Sequence, residues 1–109
     1  MVMYMKHVDV LKALADENRL AILCFLQSGQ KCVCEVEQVL AISQSATSKH
    51  LARLRLAGLI EAEKKAQWVH YRISPSLFVE YPFVKELLAE VSPNYAFDMS
   101  NLKKMNCDQ

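Results

Sequence analysis

One stretch of the chain, Ile42 to Leu59, reading I-S-Q-S-A-T-S-K-H-L-A-R-L-R-L-A-G-L, leaves little choice about what it folds into. Ser43 stands where its hydroxyl can accept a bond from an orphan backbone N–H at a helix start. Gly58 stands where a left-handed residue closes a helix. Between them Thr47, Leu51 and Leu54 recur at steps of four and three and share one face. Ser45, Ser48, Lys49 and Ala52 fall on the opposite face, with the Gln44 amide close by. That face carries small hydroxyls, an amide and a cation, and no large apolar group. A narrow polar face of this kind fits the major groove, where Gln and Ser bond base edges and Lys meets phosphate. An ordinary amphipathic surface helix would show the same apolar stripe, so the surroundings decide between the two.

The surroundings favour nucleic acid. The net charge is +1 over 109 residues, but it is unevenly spread. From Ser43 to Ile73 the cations Lys49, Arg53, Arg55, Lys64, Lys65 and Arg72 face only Glu61 and Glu63, a surplus of four that leaves the rest of the chain acidic. Upstream, Val8, Leu11, Leu14 and Ala15 mark a first helix. Asp16 is placed to cap a second, with a Leu20, Leu23, Leu26 stripe and a stop near Ser28-Gly29. A short third helix covers about Cys34 to Leu40, and Ala41-Ile42-Ser43 links it tightly to the polar-faced helix. Helix, short turn, helix is the bihelical DNA-reading unit.

Downstream, residues 59–63 and 68–73 alternate or are rich in β-branched and aromatic residues, and they flank Lys64-Lys65-Ala66-Gln67. This reads as a β-hairpin, a wing whose lysines reach phosphate, with Trp68 and Tyr71 anchoring it to the core. After Ser74-Pro75 a continuous helix is expected from Ser76 to Val91, and a last one from Tyr95 to Met105. The expected fold is mainly α with a small β-hairpin: a single winged helix-turn-helix domain over residues 1–109. Within it, residues 34–57 form the helix-turn-helix and 59–73 the wing. Helices at 1–15 and 76–106 are expected to form a homodimer interface, since Val8, Leu11, Leu14, Phe83, Val84, Leu87, Leu88 and Val91 give surplus apolar surface. Expected contacts to operator DNA are Ser43, Gln44, Ser45, Ser48, Lys49 and Arg53 on the helix and Lys64, Lys65 and Gln67 on the wing.

Other classes fit less well. No apolar run spans a bilayer, and the N-terminus lacks the basic-then-apolar pattern of a secretory signal, which predicts a cytoplasmic protein. Only two glycines, Gly29 and Gly58, are present. A phosphate-cradling loop of the kind an arsenate reductase needs is therefore missing, and the chain is read as no enzyme. Four cysteines, Cys24, Cys32, Cys34 and Cys107, in a reducing compartment suggest ligands rather than a disulfide framework. Cys32 and Cys34 lie at the start of the third helix. On a regular helix residues two apart diverge by about 200°, so one ion held by both sulfurs would require an unwound first turn. Thiolates select soft or thiophilic centres: trivalent arsenic and antimony, cadmium, lead. Glu80, Glu86 and Glu90 lack a histidine neighbour for a zinc-type site on the helix after the wing, and His7, His50 and His70 are assigned to no metal.

The segments A-L-A-D-E-N-R-L-A-I-L, C-V-C-E, S-Q-S-A-T-S-K-H-L-A-R-L-R-L-A-G-L and W-V-H-Y-R-I-S, with the closing N-L-K-K-M-N-C, resemble the arsenic-responsive repressors of the ArsR-type (ArsR/SmtB) winged-helix superfamily. The resemblance covers about Leu11 to Ile73 and the tail. It implies a homodimer on an operator that leaves when an inducer binds, here As(III), Sb(III) or an organoarsenical on Cys32 and Cys34, with no required cofactor. The family pattern places a third cysteine where this chain has Glu37, so a three-sulfur site would draw on Cys107. A cysteine in the second helix with another near the C-terminus also resembles the persulfide-sensing branch. That makes redox sensing through Cys24 and Cys107 the alternative trigger, with Cys24 otherwise a small buried hydrophobe.

Overall fold

A computed structural model of the protein describes residues 6–95. The chain order is α1 (Lys6–Leu14), α2 (Glu17–Leu26), β1 (Lys31–Cys32), α3 (Val33–Leu40), α4 (Gln44–Leu56), β2 (Ile60–Lys65), β3 (Trp68–Ile73), α5 (Leu77–Glu80) and α6 (Pro82–Val91), closed by a 3-10 turn at Ser92–Asn94. Helices surround one apolar core, and an antiparallel sheet of order β1-β3-β2 lies at its edge. This is a winged helix-turn-helix.

α2 is the central element. Asp16 caps it by accepting the Arg19 N–H at 3.1 Å. From Ala21 to Leu26 every residue is buried. The expected one-sided stripe is therefore too narrow: α2 is enclosed on all sides, and Leu20, its expected first member, is only half-buried.

α4 obeys its sequence closely. The Ser43 hydroxyl accepts the Ala46 N–H at 3.1 Å, and Thr47, Leu51 and Leu54 are buried. Its end is a Schellman motif. Leu59 N–H bonds Leu54 O and Gly58 N–H bonds Arg55 O, both at 3.0 Å, with Gly58 at φ 82°. The link from α3 turns on Ala41, which sits at φ 55° and ψ 44°, a left-handed geometry that glycine favours.

Three expectations need correction. The sheet has a third strand, since Lys31 and Cys32 pair with Tyr71 and His70 of β3, and α3 accordingly begins at Val33. The hairpin strands are longer than read: β2 runs through Lys64 and Lys65, Lys65 pairs with Trp68, and only Ala66 and Gln67 form the turn. The helix expected over Ser76–Val91 is two helices. Pro82 cannot donate an N–H and drives the residue before it out of the α region, and Tyr81 stands at φ −133°, ψ 71°.

Of the residues assigned to dimerisation, Leu14, Val84 and Leu88 are instead fully committed to the chain's own core. Val8 and Leu11 are 42% and 51% exposed, while Phe83, Leu87 and Val91 are half-buried against the core. Tyr71 packs on the core as expected, and Trp68, half-buried, closes the hairpin opposite Lys65. The helix expected over Tyr95–Met105 lies, beyond Tyr95, outside the described residues.

Candidate nucleic-acid interface and sulfur pair

Because Thr47, Leu51 and Leu54 hold one side of α4 against the core, the helical period turns Gln44, Ser45, Ser48 and Lys49 outward, and all four are exposed. Ser43 is exposed too, but its hydroxyl is occupied as the helix cap. Arg53 stands apart from this face. It is half-buried, and its Nη2 lies 3.7 Å from Asp9 Oδ1 on α1. On the wing, Lys64, Lys65 and Gln67 are exposed. Arg72 gives Nε and Nη2 to Glu61 Oε1 at 3.2 and 3.0 Å, so that cation of the basic segment is partnered across the hairpin. The structure thus presents an uncharged hydrogen-bonding face with Lys49 on α4, and two cations at the end of β2. The first can meet base edges and the second the phosphate backbone.

The sulfur pair differs from its expected geometry. Cys32 is not in a helical turn. It is the last residue of β1 and the N-cap of α3, at φ −85° and ψ 166°. The extended backbone brings its Sγ to 3.2 Å from Cys34 Sγ with the first turn of α3 intact. Cys34 is itself disulfide-bonded in this structure, so the expected pair of free thiols is not what it holds, yet the two sulfurs converge without the expected unwinding. Glu35 completes the corner by accepting the Cys32 N–H at 2.9 Å, a capping-box arrangement. Cys32 is buried, and this burial pushes its thiol pKa up. The nearby Glu35 carboxylate acts the same way, while backbone N–H groups of Glu35 and Cys34 oppose the rise.

Cys24 sits elsewhere, buried in α2, with the Ser92 hydroxyl 3.3 Å from its Sγ and 3.1 Å from Gln27 Oε1. Burial raises its pKa as well, partly offset by Ser92. Cys107, proposed as a third ligand and as a redox partner, lies outside the described residues. Glu37, at the position of the family's usual third cysteine, is half-buried on α3. Among the described residues no group of three or more His, Cys, Asp or Glu side chains could hold a metal ion, and no helix is long and apolar enough to cross a membrane.

A family model described as bacterial regulatory protein, arsR family, matches residues 16–62. That span takes in α2, the sulfur pair, the helix-turn-helix and the start of the wing. The solved structure of HlyU from Vibrio cholerae N16961 superposes with a TM-score of 0.68 at 41% identity, covering 83% of this chain and 91% of that one. The chain belongs to the arsR family.

Other arsR-family relatives differ in what their names say. The arsenical resistance operon repressor of Escherichia coli K12 is 45% identical over 71 residues, 64% of this chain and 61% of that protein. HlyU of Vibrio cholerae, named a transcriptional activator, is 49% identical over 69 residues, 63% of this chain and 64% of that protein. The aligned part thus spans somewhat under two thirds of both curated relatives. A homodimeric winged helix-turn-helix DNA-binding domain from Mycobacterium bovis, described as a possible ArsR-family regulator, superposes with a TM-score of 0.68 at 25% identity, over 84% of each chain.

Sequence reasoning missed two features of this arsR-family site. One is β1, which joins Cys32 to the wing, and a two-residue strand leaves no periodicity to find. The other is the corner formed by Asp16, Arg19 and His50. Its only sequence trace is a basic residue in the first turn of a capped helix, where the helix dipole does not favour it.

Proposed function

We propose that the chain is a DNA-binding transcriptional repressor, released from its operator when a thiophilic inducer, trivalent arsenic or antimony or an organoarsenical, bridges Cys32 and Cys34. Support for DNA binding comes from family membership and from the outward Gln44, Ser45, Ser48 and Lys49 beside the wing's Lys64, Lys65 and Gln67. The observation that supports the inducer is the 3.2 Å approach of the two sulfurs, and because Cys34 is disulfide-bonded in this structure the reading applies to the reduced protein. Two bonds of about 2.3 Å, a metal–thiolate length, span about 3.3 Å when they meet near a right angle and about 3.8 Å at the tetrahedral angle. The observed separation is near this range, so one thiophilic centre, trivalent arsenic among them, can reach both sulfurs. The name of the E. coli relative points the same way.

Coupling from inducer to DNA has a short route. Cys32 is paired with His70 on β3, and β3 is the partner of the lysine-bearing strand β2. Cys32 also caps α3, the first helix of the bihelical unit. Ligation at this corner acts on a residue shared by the sheet and the bihelical unit, and the bound inducer is proposed to favour a second arrangement of both. Two copies placing their α4 helices about one DNA turn apart, ~34 Å, suit a palindromic operator. Glu37 replaces the usual third sulfur, and Cys107 is the proposed donor of that bond. A monosubstituted organoarsenical needs only two sulfurs and dispenses with it.

The test is a mobility shift on the promoter upstream of the chain's own gene, titrated separately with arsenite, antimonite, a phenylarsenical, cadmium, lead and a polysulfide. Release by trivalent arsenic or antimony is expected. Release by polysulfide alone would transfer the trigger to Cys24 and Cys107.

A further inference from the structure

Three helices meet on one side chain at the corner between α1 and α2. α1 ends at Leu14, which leaves the carbonyls of its last turn without helical donors. Arg19, in the first turn of α2, supplies two donors: Nε bonds Ala13 O at 2.6 Å, and Nη2 shares Lys12 O, at 3.3 Å, with the Ala15 N–H. Its remaining nitrogen, Nη1, lies 3.4 Å from Nδ1 of His50 on α4. A guanidinium can only donate, so the ring nitrogen accepts. Asp16 orients the fork, with Oδ2 at 3.9 Å from Nη1 and Oδ1 at 3.9 Å from the His50 ring. The side chains of Arg19 and His50 are 16% and 17% exposed. Three residues along α4, Arg53 pairs with Asp9 of α1 at 3.7 Å and ties the same two helices again.

His50, which meets Arg19 of α2, and Arg53, which meets Asp9 of α1, share the side of α4 that faces this corner, while Gln44, Ser45 and Ser48 are exposed. The apolar contacts under Leu51 and Leu54 decide which side of α4 faces inward but, being non-directional, do not fix its fine rotation. Hydrogen bonds between fixed atoms do choose it.

We propose that Arg19 is a positioning residue for the reading helix: by joining the last carbonyls of α1 to His50 it sets the tilt and rotation of α4, and so the register of Gln44 and Ser48 over base edges. The proposal rests on the DNA-reading role of α4. Base-edge bonds are lost on small displacements, whereas lysines on flexible stems keep their phosphates. Removing the tie therefore lowers selective binding and leaves non-selective binding in place.

The experiment selects a duplex from a random pool with the wild-type chain. It then compares dissociation constants for that duplex and a scrambled one of equal length, for wild type, Arg19→Lys, His50→Leu and His50→Gln. His50→Leu and His50→Gln both keep the Arg19 bonds to α1, so the contrast between them does not report unfolding, and only glutamine retains an acceptor. The expected result is a loss of about tenfold or more in the selective-to-scrambled ratio for Arg19→Lys and His50→Leu, one base contact's worth. Binding to the scrambled duplex should change little, and His50→Gln should restore the ratio. Equal weakening on both duplexes, an unchanged ratio, or glutamine as poor as leucine overturns the positioning role while DNA reading stands. A wild-type chain that selects no duplex overturns DNA reading and the positioning role together.

Discussion

Cys32 has two structural duties beside its candidate ligand role, and this makes it the residue to watch. It ends β1 opposite His70 and it caps α3. Burial raises its thiol pKa, and a ligand sulfur must be deprotonated. With the pKa raised, the thiolate is scarcer at neutral pH than in an ordinary cysteine. Arsenite arrives as As(OH)3 and carries each thiol proton away as water, so its affinity is expected to change little with pH below the thiol pKa, whereas a divalent ion such as cadmium displaces the proton and is expected to bind more tightly as pH rises. Titrating arsenite and cadmium separately against DNA release at several pH values checks this, and the same pH dependence for both would contradict thiol ligation at Cys32. That Cys32 and Cys34 make a candidate thiol pair was plain in the sequence, because C-V-C stands out there. Their geometry was not. Helical periodicity places Cys32 and Cys34 on diverging faces, and only the pairing of residues 31–32 with 70–71, distant in sequence, shows that Cys32 is extended.

At the scale of elements, α4 was legible because each of its signals is local: the Ser43 cap, the Thr47–Leu51–Leu54 spacing and the Gly58 stop. Elements that depend on distant partners, β1 above all, were not. The break at Tyr81–Pro82 was available in the sequence, since a proline inside a helical pattern ends or kinks it. Apolar spacing across the break concealed it, because Leu77, Val84 and Leu88 are all buried despite the change of helix. The α3–α4 link holds Ala41 in a left-handed conformation. Ala41→Gly should therefore stabilise the fold by about 1 kcal/mol, read as a higher urea midpoint with unchanged slope. A lower midpoint would mean that the alanine methyl packs more than the backbone geometry costs.

The division of labour between wing and helix is tested in the same way. Lys64→Ala with Lys65→Ala should weaken binding to every duplex and lower the salt slope by about 0.9 per lost phosphate contact. Replacing Gln44 or Ser48 should instead alter sequence preference, by about 1–3 kcal/mol per base contact. Wing substitutions that changed sequence choice, with helix substitutions that did not, would reverse the two assignments.

For the whole molecule, the apolar residues near both chain ends divide into two sets that the sequence alone does not separate. Leu14, Val84 and Leu88 complete the core, whereas Val8 and Leu11 on α1 remain at the surface. A helical stripe tells which side is apolar but not which other element covers it. We propose that the exposed pair meets a second copy; the relative from Mycobacterium bovis is homodimeric. Leu11→Lys is expected to shift the chain toward monomer in sedimentation at micromolar concentration without unfolding it. An unchanged mass would place the dimer contact elsewhere.

A regulator of this design must keep reading and sensing separable, and one measurement decides whether it does. The release of a fluorescently labelled operator duplex by arsenite is followed by anisotropy for wild type, for Cys32→Ser combined with Cys34→Ser, and for Cys24→Ser. The expected result is that all three bind the duplex alike, that wild type and Cys24→Ser let it go on arsenite addition, and that the double variant stays bound. Release from the double variant, with Cys24→Ser retained on DNA, would contradict the assignment of the sensor to Cys32 and Cys34.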